Sequence, residues 1–262
     1  MTLSIAVTSG KGGVGKTNTA VNLAISLGQS GKNVLLFDAD FGLANVHVLL
    51  GTKPIKTVAD FLDGKCTMEE SITKFSDNLS VLSGGSGLTE LLNLDNKRRH
   101  QILSGISNLS INIDYLIVDC PAGAAESTLF FTSASDIAIV VLVEEPTSFL
   151  DAYALIKAAN LEARVKNFAV AVNMAENKNM AKNSFEKFRE IAIRFLDVNL
   201  HYAGMIPYSK EIKHAVTQRK PVTLSQPSSM PSACFKEMAK TLMTVPIHAS
   251  NSLKFFDNGG RK

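Results

Sequence analysis

Eight consecutive residues, Gly10-Lys11-Gly12-Gly13-Val14-Gly15-Lys16-Thr17, carry the spacing G-x-x-x-x-G-K-T. Glycines at those intervals let the backbone curl until its N–H groups point inward at a phosphate chain. A helix beginning directly after the loop adds the partial positive charge of its N-terminus. In such a loop Lys16 is expected to reach the β- and γ-phosphates, and the Thr17 hydroxyl to ligate Mg²⁺. Lys11, second in the run, is a further cation beside the phosphates. Acidic side chains stand where apolar runs end: Asp38 and Asp40 after Asn33–Phe37, and Asp119 after Tyr115–Val118. A carboxylate at Asp119 suits a magnesium-bound water, and the Pro121, Ala122 and Gly123 backbone after it can sense a terminal phosphate. Each acidic segment alone is a weak signal; together, at strand ends and in this order, they form a constellation.

The elements needed to hold that constellation are legible in the pattern. Apolar runs at Leu3–Thr8, Asn33–Phe37, Leu79–Leu82, Tyr115–Val118, Ile137–Val143, Phe168–Val172 and His201–Met205 lack polar alternation, as strands covered on both faces do. Helical patterns alternate with them, which predicts an α/β fold with a doubly wound, mostly parallel sheet and helices on both faces. Such sheets bind ligands beyond the C-terminal ends of their strands, where the glycine-rich loop falls. Helices are expected over Asn18–Leu27 and Ala181–Leu196, the second turning Phe185, Phe188, Ala192 and Phe195 toward the core.

The 262 residues suffice for one large domain, taken as 1–246, followed by a short tail over 247–262. A net charge of +3 gives no reason to expect nucleic acid as a partner. The charge is uneven, however. From Ala203 onward there are nine Lys/Arg against three Asp/Glu, an excess that suits an anionic membrane or an acidic partner. Cys66, Cys120 and Cys234 are far apart, which argues against an iron–sulfur or zinc site and fits a reducing cytosol. With no signal-peptide pattern and no apolar run long enough to span a bilayer, the expected location is cytoplasmic, at most peripheral at the membrane or cell pole.

The run K-G-G-V-G-K-T resembles the signature of the MinD/ParA ATPases, the deviant Walker-A class of P-loop NTPases. The resemblance implies that Lys11 reaches across a dimer interface to the partner's nucleotide, a cation supplied in trans. It further implies that Asp40 positions the attacking water and that Asp38 lies near the metal, giving Thr17, Asp38 and Asp119 as the metal set. Asn18 joins the loop in the ATP-binding set, and Asn173, Pro207 and Tyr208 match positions that hold adenine. No N-K-x-D guanine motif is present, so ATP is preferred over GTP.

Three stretches are similar to a narrower group, the FlhG/FleN flagellar-number regulators: Asp38-Ala-Asp-Phe-Gly-Leu-Ala-Asn-Val-His-Val-Leu-Leu-Gly51, Glu145-Pro-Thr-Ser-Phe-Leu-Asp-Ala-Tyr-Ala-Leu-Ile-Lys157 and Val172-Asn-Met-Ala175. This resemblance, over residues 3–245, implies an ATP-dependent homodimer with slow, switch-like hydrolysis that controls the number and placement of flagella. Its implied partners are a signal-recognition-type GTPase, switch-complex components and a flagellar transcription activator. His47 stands where that group has Asp. No basic extension precedes the first strand, which puts activation of a partner GTPase in doubt. Leu253-Lys-Phe-Phe256 begins like the group's membrane-targeting helix, but Asp257-Asn-Gly-Gly-Arg-Lys262 ends its apolar face, so membrane contact is expected to be weak or absent. The alternatives are a MinD-type division-site selector, a ParA-like DNA- or cargo-partitioning ATPase, and an iron–sulfur cluster carrier.

Overall fold

In the computed structural model, residues 2–42, 45–85, 94–245 and 253–256 are described. Strands β1 (Leu3–Thr8), β2 (Val34–Asp38), β3 (Ile72–Ser76), β4 (Leu79–Ser83), β5 (Tyr115–Asp119), β6 (Ile137–Val143), β7 (Asn167–Ala175) and β8 (Asn199–Pro207) form one sheet. Its order is β3-β4-β2-β5-β1-β6-β7-β8. Among the described residues only the β3–β4 hairpin is antiparallel; the other pairings are parallel. Strand β1 sits between β5 and β6, where the winding reverses, and a parallel sheet presents its ligand crevice at that point.

On one face lie α1 (Lys16–Gln29) and α10 (Met230–Leu242), with the short helices α2 (Val46–Leu49), α8 (Lys210–Thr217) and α9 (Val222–Ser225) alongside. The other face carries α3 (Val58–Leu62), α4 (Asn96–Ser107) and α5 (Glu126–Ala134) over its first half. Helices α6 (Pro146–Ala163) and α7 (Lys178–Phe195) cover its second half. Because side chains alternate across a strand, Leu36 and Ile117 face α1 while Phe37 and Val118 face the opposite layer. The same parity turns Asp38 and Asp119, next along β2 and β5, toward α1. They are also direct partners in the parallel register, Asp38 opposite Asp119.

The strand expectations hold: Leu3–Thr8 and Ile137–Val143 are reproduced end to end, Asn33–Phe37 is displaced by one residue to Val34–Asp38, and the rest are longer by one to three residues at one or both ends. Strand β3 escaped the sequence reading; it is a short edge strand of mixed polarity, exposed at Lys74 and Ser76. In α7, Phe185, Phe188 and Ala192 are buried, but Phe195 is 68% exposed. The helix ends there, and Leu196 and Val198 turn inward to fill the core in its place. Arg219 occupies the left-handed position after α8, φ 53°, where glycine is the usual residue and another L-residue is disfavoured by about 1 kcal/mol.

Near the C-terminus, Leu253–Phe256 pack on α5. Phe255 is fully buried and stacks on Phe131 with ring centroids 6.2 Å apart. Its N–H donates to the Ala134 carbonyl at 3.0 Å, and Lys254 Nζ donates to the Ser133 and Ser135 carbonyls at 3.1 and 2.5 Å. Lys254 thus satisfies carbonyls that a helix end leaves unpaired, and burial lowers its pKa. The rest of the expected tail, 247–252 and 257–262, lies outside the described residues, as do Leu43 and Ala44 of the Asp38–Gly51 stretch.

Candidate nucleotide site

The glycine-rich loop leaves β1 and turns into α1. Gly13 and Gly15 have φ of 80° and 88°, a region open to glycine and strained for other residues. Two of the glycines are also close-packed. A methyl at Gly10 would lie 2.1 Å from the Asp151 backbone of α6, and one at Gly15 would lie 2.2 Å from Asn173 Nδ2. Asn173, at the end of β7, donates from Nδ2 to the Val14 carbonyl at 2.6 Å and accepts from the Met174 N–H at 2.8 Å. The loop is therefore gripped from β7 as well as from its own helix.

Lys16 is buried, with Nζ 2.7 Å from Asp119 Oδ1. Burial works against its ammonium, yet the Asp119 charge and hydrogen bond outweigh burial and hold its pKa above the ordinary value. Asp38 accepts from the Val46 N–H at 3.0 Å and the Asp40 N–H at 3.3 Å. Burial first, and the charge of Asp119 second, push Asp38 up to about 8. Burial also raises Asp119, against the opposing influence of Lys16 and Thr17. The two carboxylates and the ammonium share one dry spot because register and parity bring them there.

The loop after β5 is tied to the phosphate loop. The Gly123 N–H donates to the Ser9 carbonyl at 2.8 Å, with Gly123 at φ 84°. Thr128, in α5, donates to the Pro121 carbonyl at 3.2 Å. Ala122 lies between them, half-buried. Any displacement of residues 121–123 is thereby felt by both β1 and α5. Thr17, Asn18 and Asp40 are half-buried at the same rim. Pro207 ends β8 opposite Ala175, and the Tyr208 N–H donates to the Ala175 carbonyl at 3.0 Å. Tyr208 is 74% exposed, available to an incoming ligand two residues along the sheet edge from Asn173.

Lys11 stands apart from this cluster. Its Nζ is 2.8 Å from Glu145 Oε2 and 3.1 Å from Thr147 Oγ1. Glu145 and Thr147 open α6, and sequence reasoning did not single them out as site residues. The contact spans over 130 positions of chain, so no local pattern could signal it.

Asp119 Oδ2 is a buried oxygen without a hydrogen-bond partner. Together with the Thr17 hydroxyl and Asp38 it supplies hard oxygen donors of the kind magnesium takes. Among the described residues no three His, Cys, Asp or Glu converge as a metal cage. Cys120 and Cys234 are buried and Cys66 is half-buried, and burial pushes the Cys120 thiol up to about 12.

A glycine loop between β1 and α1, at the winding reversal of a parallel sheet and facing two strand-end aspartates, defines a P-loop NTPase. The chain belongs to the ParA family, whose model, described as NUBPL iron-transfer P-loop NTPase, matches residues 1–243. It is 39% identical over 254 residues to the antiactivator FleN of Pseudomonas aeruginosa, covering 96% of this chain and 91% of that protein. It is 33% identical to the flagellum site-determining protein YlxH of Helicobacter pylori, covering 92% of this chain and 81% of that protein. The solved MinC:MinD cell division complex of Aquifex aeolicus superposes with a TM-score of 0.76 at 27% identity, covering 95% of this chain and 98% of that one.

Proposed function

We propose that this protein is an ATP-switched homodimeric ATPase that limits the number and placement of flagella. The observation that carries the reading is the similarity to two flagellar proteins over 96% and 92% of this chain, at 39% and 33% identity. In this reading the P-loop from Gly10 to Thr17, with Asn18, cradles the phosphates of ATP, and Lys16 leaves Asp119 for the β- and γ-phosphates. Asn173, Pro207 and Tyr208 bound the adenine. Lys11 exchanges Glu145 for the phosphates of the facing subunit, offsetting charge that builds up on the transferred phosphoryl group. Asp40 orients the attacking water, so that ATP and water yield ADP and phosphate. Thr17, Asp38 and Asp119 hold magnesium, which when bound neutralises phosphate charge. Residues 121–123 transmit the presence of the γ-phosphate to α5. Such a site works as a slow timer that ends an assembled state. Its partners are flagellar assembly proteins of the three kinds named above, met in the cytoplasm or at the membrane or pole.

Counting flagella per cell in a deletion strain tests the reading. Wild type is expected to restore the normal number and Lys16→Ala to fail. Normal flagellation in the deletion strain would sink it. The 30% identity to the septum site-determining protein MinD of Bacillus subtilis supports one second reading, a division-site selector. Minicells with unchanged flagella in the deletion strain would favour it.

A further inference from the structure

We propose, resting on the ATP-and-magnesium reading just given, that Ser83 is a positioning residue of the metal site. Its hydroxyl donates to Asp38 and fixes that carboxylate toward a magnesium-bound water. Ser83 ends β4, and the parallel register sets it directly beside Asp38 of β2, which is itself beside Asp119 of β5. The three form a row across neighbouring strands, about 4.8 Å from one strand to the next. Strand parity gives them one face: Val81, Leu36 and Ile117, each two residues earlier, all belong to the core beneath α1. All three are buried, Ser83 at 3% exposure and both aspartates at 0%. The chain stays close just past the strand, since a methyl on Gly84 would lie 2.6 Å from the Asp38 carbonyl oxygen.

Holding the fold together does not explain this hydroxyl. Among the described residues Ser83 is the one serine whose buried hydroxyl makes no hydrogen bond. Other buried serines are bonded: Ser26 to the Asn22 carbonyl at 2.8 Å, Ser71 to the Met68 carbonyl at 2.6 Å and Ser232 to the Val222 carbonyl at 3.0 Å. A hydroxyl left unpaired in a dry interior costs stability, and alanine would fill the same place without that cost. The polar side chain that register puts beside it is Asp38. A carboxylate offers about four acceptor directions, and the Val46 and Asp40 N–H groups take two of them. The directions left suffice for a metal-bound water and for the Ser83 hydroxyl. A donor placed behind a carboxylate in this way orients it toward the ion, and losing such a donor lowers metal affinity about 10–100-fold.

The test measures magnesium dependence and stability separately on the purified full chain. Affinity for a non-hydrolysable ATP analogue is followed by calorimetry against free magnesium for wild type, Ser83→Ala, Asp38→Asn and the double variant, and urea midpoints are taken in chelator. Ser83→Ala is expected to need at least about tenfold more free magnesium to reach the wild-type affinity, while its midpoint stays at or above that of wild type. Ser71→Ala, which removes a bonded hydroxyl far along the chain from the site, is expected to lower the midpoint and leave the magnesium dependence alone. Beside Asp38→Asn, Ser83→Ala is expected to add less than about twofold, because the group it acts through is gone. An unchanged magnesium dependence, a lowered midpoint for Ser83→Ala, an equal shift in Ser71→Ala, or a full further loss beside Asp38→Asn would each overturn the proposal. A wild type that responds to magnesium while Ser83→Ala matches it sinks this role alone. A wild type indifferent to magnesium would remove the metal site from the proposed function, and the role of Ser83 with it.

Discussion

Phe255→Ala removes a ring that the chain carries back into its core from beyond residue 245. The ring is fully buried, stacked on Phe131 and held by a backbone hydrogen bond to Ala134. Removing a buried Phe from a packed core costs about 3–5 kcal/mol. Here the loss has a ceiling, because a segment near the chain end can peel away once its anchor is gone, taking no more than its own net hold. The expected destabilisation is therefore about 2–4 kcal/mol. With a urea m-value of roughly 2–3 kcal/mol/M for a domain of this size, the midpoint should fall by about 1 M at unchanged m. Equilibrium urea denaturation followed by circular dichroism measures it. Leu253→Ala, at a position 60% exposed, is the control and should move stability by less than about 0.5 kcal/mol. A Phe255→Ala midpoint equal to wild type would refute the packing of this segment. The consequence reaches the site, because α5, which the segment caps, begins directly after the loop that carries Pro121, Ala122 and Gly123.

Asp38→Asn should stabilise the metal-free protein, increasingly so as pH rises. With a folded pKa of about 8 against 3.8 unfolded, the folded state binds more protons across that window, so wild-type stability falls with rising pH. The gain at pH 7 is on the order of a few kcal/mol, less about 1–3 kcal/mol because an amide presents a donor to one of the two N–H groups. Urea melts in chelator from about pH 5 to pH 8 check it; a gap between variant and wild type that shrinks with pH would contradict it. Gly15→Ala combines a φ of 88° with a methyl 2.2 Å from Asn173 Nδ2. It should weaken nucleotide binding at least about tenfold and lower stability by about 1–3 kcal/mol. Adding Asn173→Ala removes the colliding atom, so calorimetric binding in a double-mutant cycle should be strongly non-additive; strict additivity would mean that the two residues do not touch.

Much of the site was legible because it follows from short-range rules. The loop's glycines mark backbone shape, and apolar runs without alternation mark covered parallel strands, so Asp38, Asp119, Asn173 and Pro207 fall at one sheet edge. Strand parity then decides which way the two aspartates point. What escaped depends on long-range packing. Phe195 fits the helical stripe of α7, yet Leu196 and Val198 fill the space it was assigned. Strand β3 gains its identity from pairing with β4, having little pattern of its own. The Lys11–Glu145 pair and the Asn173–Val14 hydrogen bond join residues over a hundred positions apart. Leu253–Phe256 resembles the start of a membrane-targeting helix that breaks off at once, and packing against Phe131 is what reveals where Phe255 goes.

The proposed dimer is tested most directly by the mass in solution of Asp40→Ala with saturating ATP and magnesium, measured by analytical ultracentrifugation. A stable dimer is expected, because binding is intact while hydrolysis cannot end the assembled state. Adding Lys11→Ala should return it to monomer, since on the proposed reading the phosphates then lose a cation supplied from the facing subunit. Asp40→Ala that sediments as a monomer with ATP saturating would contradict a two-subunit site, and Lys11 would then have no role beyond its contact with Glu145 and Thr147.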